Sequence, residues 1–135
     1  MNFALDCSVA ISWCFEDEAD AWSDRILDSL SSATAFVPEI WHTEIANVLV
    51  QCERKKRLTE AQTAAFLRRL RSLPIQVCML SRDENFSDVL HLARREGLTS
   101  YDAAYLRISL REGLPLATHD KALKVAAARL GVPLL

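Results

Sequence analysis

The chain has 135 residues, 16 basic and 18 acidic, for a formal net charge of −2, and that length fits a single domain of roughly 100–200 residues. Hydrophobic residues make up 50% and charged residues 25%, with only 3 Gly and 4 Pro, which excludes collagen-like and disordered classes and weighs against an all-β sandwich with many tight turns. Folding at this size buries roughly 68–70% of the unfolded chain's surface, so neither disulfides nor a structural metal are needed.

Charge is unevenly distributed along the chain. Residues 1–50 hold nine acids and one base, 51–82 hold eight bases and two acids, and 83–135 hold seven of each. Near-neutrality overall therefore does not exclude a polyanionic partner. No uncharged apolar run approaches the roughly 18 residues of a membrane span, and no basic flank precedes a signal-type core, so the expectation is a cytoplasmic protein without membrane contact. Cys7, Cys14, Cys52 and Cys78 form no C-x-x-C pair and are expected as reduced core residues.

The first strand is Asn2 to Leu5, too short for a helix and ended by Asp6. Two helices follow, over Ser8 to Phe15 and Asp17 to Leu30. Ala35-Phe36-Val37 reads as a second strand closed by Pro38, after which Ile40, Trp41, Ile45, Val48, Leu49 and Cys52 recur at helical spacing up to Arg54-Lys55-Lys56-Arg57. Thr59 with Gln62 three residues on predicts a capping box that opens a helix ending before Pro74, so two basic helices form a hairpin. Ile75 to Leu80 is the third predicted strand. Helices over Glu84 to Arg95 and Tyr101 to Arg111 are stopped by Gly97 and Gly113. A fourth strand over Leu114 to Ala117, a helix over Asp120 to Leu130 and a last strand over Val132 to Leu135 complete the pattern. Short, continuously apolar strands separated by helices predict a parallel sheet covered on both faces.

Four carboxylates stand at special places in this layout. Asp6 follows the first strand, Asp120 lies just past the fourth, Asp102 opens a helix with Ser100 as its expected N-cap, and Glu44 sits in an otherwise apolar helix. Ligands of open parallel sheets bind outside the carboxyl ends of the strands, where the strand order reverses, which would bring Asp6 and Asp120 into one crevice. Asp102 and Asp120 equally fit first-turn acids or caps, and Asp6 fits a cap of the helix near Ser8. Glu44, flanked by Trp41, Ile45 and Val48, does not fit an idle solvated charge. Gathered together, the four repel one another unless a cation lies between them, and oxygen donors without Cys or His select Mg²⁺ or Mn²⁺.

The segments Leu5-Asp6-Cys7-Ser8, Glu44-Ile45-Ala46-Asn47-Val48-Leu49, Ser100-Tyr101-Asp102-Ala103-Ala104-Tyr105 and Leu116-Ala117-Thr118-His119-Asp120-Lys121-Ala122-Leu123 together resemble the PIN-domain pattern. More narrowly they are similar to the VapC-like ribonuclease toxins of bacterial toxin–antitoxin pairs, over the whole chain in order. The resemblance implies a single three-layer α/β/α domain over residues 1–135 with a central, mostly parallel sheet. It makes Asp6, Glu44, Asp102 and Asp120 the acidic metal cluster, with Ser8, Asn47 and Thr118 as the polar residues that accompany it at the substrate. It further implies cleavage of single-stranded or loop RNA by metal-activated water, neutralisation by a cognate antitoxin, and a homodimer. Two alternatives stand beside it: a receiver-like Mg²⁺-binding signalling domain, and a catalytically silent protein-interaction module.

The stretch 51–82 carries no family-wide motif. Its Arg54, Lys55, Lys56, Arg57, Arg68, Arg69 and Arg71 fit either a solvated face or a surface for RNA or a partner. His42 and His91 read as structural, and His119 as a loop histidine or a substrate neighbour. Trp13, Trp22 and Trp41 sit among apolar helical positions and read as core or interface.

Overall fold

The computed structural model describes residues 1–135. Its strands are β1 (Phe3–Leu5), β2 (Ala35–Val37), β3 (Ile75–Val77) and β4 (Leu116–Ala117). Eight α-helices connect them: α1 (Cys7–Ser12), α2 (Ala21–Ser29), α3 (Ile40–Arg54), α4 (Glu60–Arg71), α5 (Arg82–Glu84), α6 (Leu90–Glu96), α7 (Ser100–Glu112) and α8 (Lys121–Arg129). A π-helical turn, Asn85–Val89, joins α5 to α6. The sheet order is β3-β2-β1-β4, and every pairing is parallel. The helix-rich α/β architecture, with its all-parallel sheet, is the expected three-layer sandwich.

The apolar character of the strands explains their place. Phe3, Ala4, Leu5, Leu116 and Ala117 are each no more than 1% exposed, because α7 packs across β1, β2 and β4. Tyr105, Leu106 and Ile108 of α7 fill that interface and are fully buried. Coverage fails only at the edge, where Gln76 and Val77 of β3 are exposed.

Every predicted strand but the second is shorter than expected: the first begins at Phe3 rather than Asn2, and the fourth at Leu116 rather than Leu114. The third stops at Val77 rather than Leu80: Cys78 N–H still reaches Val37 C=O at 2.7 Å, but the next residue of β2 that would face β3, Glu39, has already turned helical, at φ −53° and ψ −38°. The predicted strand over Val132 to Leu135 reduces to one parallel bridge, Leu116 with Leu134. There Pro133 accepts from Leu116 N–H at 2.9 Å and can donate nothing back.

Helix starts follow local capping chemistry. Thr59 and Gln62 form the expected capping box. Asp20 with Ser23 forms one that moves the start of α2 from Asp17 to Ala21, and Ser81 with Glu84 forms another that starts α5 at Arg82. The cap of α7 is Thr99, not Ser100: Thr99 is extended (φ −67°, ψ 157°) and its hydroxyl accepts from Asp102 N–H, whereas Ser100 is already helical. Gly97 and Gly113 stop α6 and α7 as predicted, at φ 64° and 65°, which a residue with a Cβ adopts only under strain. All four cysteines are free; Cys7, Cys52 and Cys78 are buried and Cys14 half-buried.

Candidate active site

In the order β3-β2-β1-β4 the chain first builds outward from β1 through β2 and β3, then returns to the other side of β1 to lay down β4. The switch point therefore lies between β1 and β4, and the segments leaving their carboxyl ends diverge around a crevice. Asp6 leaves β1; Thr118, His119 and Asp120 leave β4.

Asp6 occupies the N-cap position of α1 but makes no capping bond. Its Oδ2 instead accepts from Ser8 Oγ at 2.7 Å and Thr118 Oγ1 at 2.6 Å. The same hydroxyls accept in turn, Ser8 from His119 N–H at 3.1 Å and Thr118 from Asp120 N–H at 3.0 Å. Two hydroxyls thus staple the segment after β1 to the segment after β4 and fix the carboxylate between them. Thr118 is 1% exposed, which places it behind Asp6, and Ser8 is half-buried.

Glu44 projects from α3 with its Oε1 accepting from Tyr105 Oη at 2.7 Å. Tyr105 escaped the sequence reading as a site residue, although its spacing of three from Asp102 puts both on one face of α7. Asp102 lies in the first turn of α7 and Asp120 at the N-cap of α8, where its Oδ1 accepts from Leu123 N–H at 2.9 Å. The capping role therefore holds for Asp120 and fails for Asp6 and Asp102. Asn47 is exposed one turn beyond Glu44 on α3.

The electrostatics mark these acids as a group. Burial pushes the Asp6 carboxyl up, its two hydroxyl partners pull it back, and the charge of Asp120 raises it further. Burial also raises Glu44, aided by the charges of Asp6 and Asp102 and opposed by Tyr105. Asp102 is raised by burial, then by Asp6 and Asp120. No Lys, Arg or His side chain forms an ion pair with any of the four. Burial, with Glu44 and Asp6 nearby, pushes the Cys7 thiol up to about 12, which disfavours a free thiolate nucleophile near neutrality. Burial likewise pushes the Tyr105 phenol up, keeping it an O–H donor.

The expected cluster of four direct ligands is not assembled as such: no three Asp, Glu, His or Cys side chains converge to hold one ion. Asp6 Oδ2 is turned to its hydroxyls, Glu44 Oε1 to Tyr105 and Asp120 Oδ1 to its cap. The donor set nevertheless fits a hard cation, because Mg²⁺ keeps several waters and needs only one or two carboxylates, and a cation relieves the repulsion that raises these groups.

The model of the PIN domain matches residues 3–129. The chain belongs to the PIN domain family. PIN domains are generally nucleases, and the crevice acids of this one occupy the switch point of its sheet. Its structure is similar to PAE2754 from Pyrobaculum aerophilum, with a TM-score of 0.70 and 22% identity over 93% of this chain and 84% of that one. It is also similar to VapBC2 from Rickettsia felis bound to a DNA fragment from their promoter, with a TM-score of 0.67 and 14% identity over 100% and 97% of the two chains. No curated protein matches the sequence. Family membership sets the receiver-like alternative aside, and so does the sheet, since receiver folds order their strands 2-1-3-4-5 and here β3 lies outside β2.

Other side chains fall into place around this PIN domain. Trp13, whose Nε1 donates to Ser23 C=O at 2.9 Å, and Trp41 are core, as expected. Trp22 differs, meeting His119 edge-on with ring centroids 4.9 Å apart, which places this pair beside Ser8 at the crevice. His42 packs edge-on against Trp41 at 5.1 Å. Among the basic residues, Arg57 is occupied by Glu18 at 3.2 Å and lies over the Phe15 ring, whereas Arg54, Lys55, Lys56, Arg68, Arg69 and Arg71 are exposed. No helix is long and apolar enough to cross a membrane.

Proposed function

We propose that this PIN domain is an Mg²⁺- or Mn²⁺-dependent endoribonuclease, the toxin of a toxin–antitoxin pair. The observation that carries this reading is the group of Asp6, Glu44, Asp102 and Asp120, held around the switch point with their charges unmatched by any cationic side chain. A protein that spends burial on carboxylates without pairing them has left the counter-charge to be supplied from outside.

Asp6, Glu44, Asp102 and Asp120 are the residues that would hold the ion. Bound there, it would supply an activated water for attack on phosphorus and offset charge at the leaving oxygen. Ser8 and Thr118 hold the Asp6 carboxylate in one orientation, and Tyr105 does the same for Glu44, so the acidic frame is fixed before substrate arrives. Cys7 stays protonated, and no side chain is required as nucleophile. Asn47, exposed one turn from Glu44, would touch the substrate.

The toxin assignment is supported by the VapC-like segments of the sequence and by the similarity to the Rickettsia felis VapBC2 structure. It carries with it RNA as substrate, a cognate antitoxin, a homodimer and a cytoplasmic setting. The purified protein, freed of any antitoxin and incubated with single-stranded RNA, should cleave it with Mg²⁺ or Mn²⁺ and fail to with chelator. Cleavage indifferent to chelator would overturn the mechanism.

A further inference from the structure

The segment after β4 contributes more to the crevice than Asp120. His119 donates its backbone N–H to Ser8 Oγ at 3.1 Å, and Ser8 donates its hydroxyl proton to Asp6 Oδ2 at 2.7 Å. A hydroxyl has one proton, so an N–H aimed at its oxygen turns that proton the other way, toward the carboxylate. Part of what orients Asp6 is therefore the backbone at His119. β4 ends at Ala117, so the sheet ladder does not set that position.

The imidazole of His119 supplies a restraint. It meets Trp22 of α2 edge-on with ring centroids 4.9 Å apart, and its Nε2 lies 4.0 Å from Asp20 Oδ2. Both partners stand on a firmly seated turn. Asp20 and Ser23 cap α2 reciprocally. Ser23 is fully buried and its carbonyl accepts from the Trp13 indole N–H at 2.9 Å, which ties the start of α2 to the end of α1. Lys124 of α8 lies over the Trp22 ring, 5.9 Å from its centroid, and adds a cation–π contact from the helix that Asp120 caps. Direct contact with the substrate is the other role open to this rim, and charge weighs against it. Residues 16–28 hold six acids and one base, so a phosphate beside Trp22 meets mostly like charge despite Lys124.

We propose that Trp22 is a positioning residue for the metal site: packed edge-on against His119, it holds the loop after β4 so that the His119 N–H orients Ser8 and Ser8 orients Asp6. The inference rests on the reading of Asp6 as a metal ligand, and it adds to the frame a residue of α2 that lies outside every motif-bearing segment. Trp22 and His119 act through Ser8 and touch neither the ion nor the reacting phosphate.

The test has a metal-free arm and a metal arm, both on the purified chain freed of any antitoxin. In metal-free protein the His119 amide should exchange with solvent roughly tenfold faster in Trp22→Leu than in wild type, while the amides of Leu106 and Ile108 in α7 keep their rates. In calorimetric titration with Mn²⁺ alone, Trp22→Leu and His119→Ala should each lower affinity roughly threefold to tenfold, although His119→Ala keeps the N–H and loses only the ring. Trp22→Phe, which restores a flat ring, should recover most of the loss. In a Ser8→Ala background Trp22→Leu should cost no further affinity, because the coupling runs through the Ser8 hydroxyl. An unchanged His119 amide rate in Trp22→Leu would overturn the proposal, as would a loss of Mn²⁺ affinity that is the same with and without Ser8. So would Trp22→Leu and His119→Ala proteins that bind Mn²⁺ like wild type and only raise KM for RNA, which would make the rim a substrate contact. A wild-type protein that binds no Mn²⁺ would instead overturn the metal reading, while the His119 amide still reports whether Trp22 holds the loop.

Discussion

Two clusters of acids in this molecule have opposite electrostatics. In the crevice, Asp6, Glu44 and Asp102 are pushed up by burial and by one another. At the junction of α5 and α7, Glu84 is held below the usual range by the Ser81 N–H of its capping box and then by Arg107 and Arg111. Arg111 reaches Glu84 at 2.7 Å, Glu112 at 2.9 Å and the carbonyl of Met79 at 3.0 Å, tying the segment after β3 to α7. The second cluster completes its own charge balance and is structural. The first is left incomplete by the fold, and this incompleteness marks the site.

The largest effect that could break this contrast is on catalysis. Asp6→Asn and Asp102→Asn should each lower RNA cleavage by roughly 10²-fold or more, abolish stabilisation by added Mg²⁺, and leave the metal-free melting temperature level or higher, because one of a set of repelling charges is gone. Asp120→Ala should differ on the last count, losing about 1 kcal/mol of stability with the α8 cap. A metal-free Asp6→Asn protein that melts lower and still cleaves would place Asp6 with Glu84 as a structural acid.

A smaller change tests whether the frame must be held in place. Tyr105→Phe removes the 2.7 Å hydrogen bond to Glu44 and little volume, so the Mg²⁺ concentration for half-maximal cleavage should rise roughly tenfold. An unchanged metal titration would show that Glu44 needs no orientation. Glu84→Gln should do the reverse, lowering the melting temperature by a few degrees while cleavage at permissive temperature is retained.

The two clusters should also be separable by pH. Raised carboxyl pKa values mean that the folded state keeps protons that the unfolded chain has already released. Metal-free stability contributed by Asp6, Asp102 and Glu44 should therefore decline as pH rises above their ordinary values of 3.8 and 4.5. Glu84 contributes the opposite slope, with stability lost as pH falls through its lowered value. Denaturation across that window, with and without Mg²⁺, should show the decline shrinking when metal is bound or when Asp6 is replaced by Asn. A slope indifferent to both would mean that the crevice acids are not coupled.

The smallest effect concerns the cations. Arg57 is paired internally, while Arg68, Arg69 and Arg71 are exposed without a salt bridge. Alanine at those three should weaken binding of RNA or antitoxin and flatten its salt dependence by about one unit of slope for each phosphate that is no longer neutralised. An unchanged slope would reduce the run to a solvated face.

Much of this was legible in the residue order. Short continuous apolar runs separated by 3.6-period segments specify strands buried between helices, and Thr59 with Gln62, Gly97 and Gly113 mark helix ends through chemistry confined to a few neighbouring residues. The positions of Asp6, Glu44, Asp102 and Asp120 in the motif-bearing segments were visible for the same reason. What local sequence did not settle was which hydroxyl caps α7, since Thr99 and Ser100 are neighbours with the same capping chemistry, and where β3 and the C-terminal segment stop pairing, since the first limit is set by the turn of β2 into α3 and the second by a proline within the ladder. Nor could it show that Thr118 reaches back to Asp6, that Tyr105 orients Glu44, or that Glu84 is neutralised by two arginines of α7. Those contacts join residues 23 to 112 positions apart, and only the packing of α7 across the sheet and the return of β4 beside β1 bring them within hydrogen-bonding reach. Sequence set which acids the chain carries; tertiary structure decided which of them would find a cation within the protein.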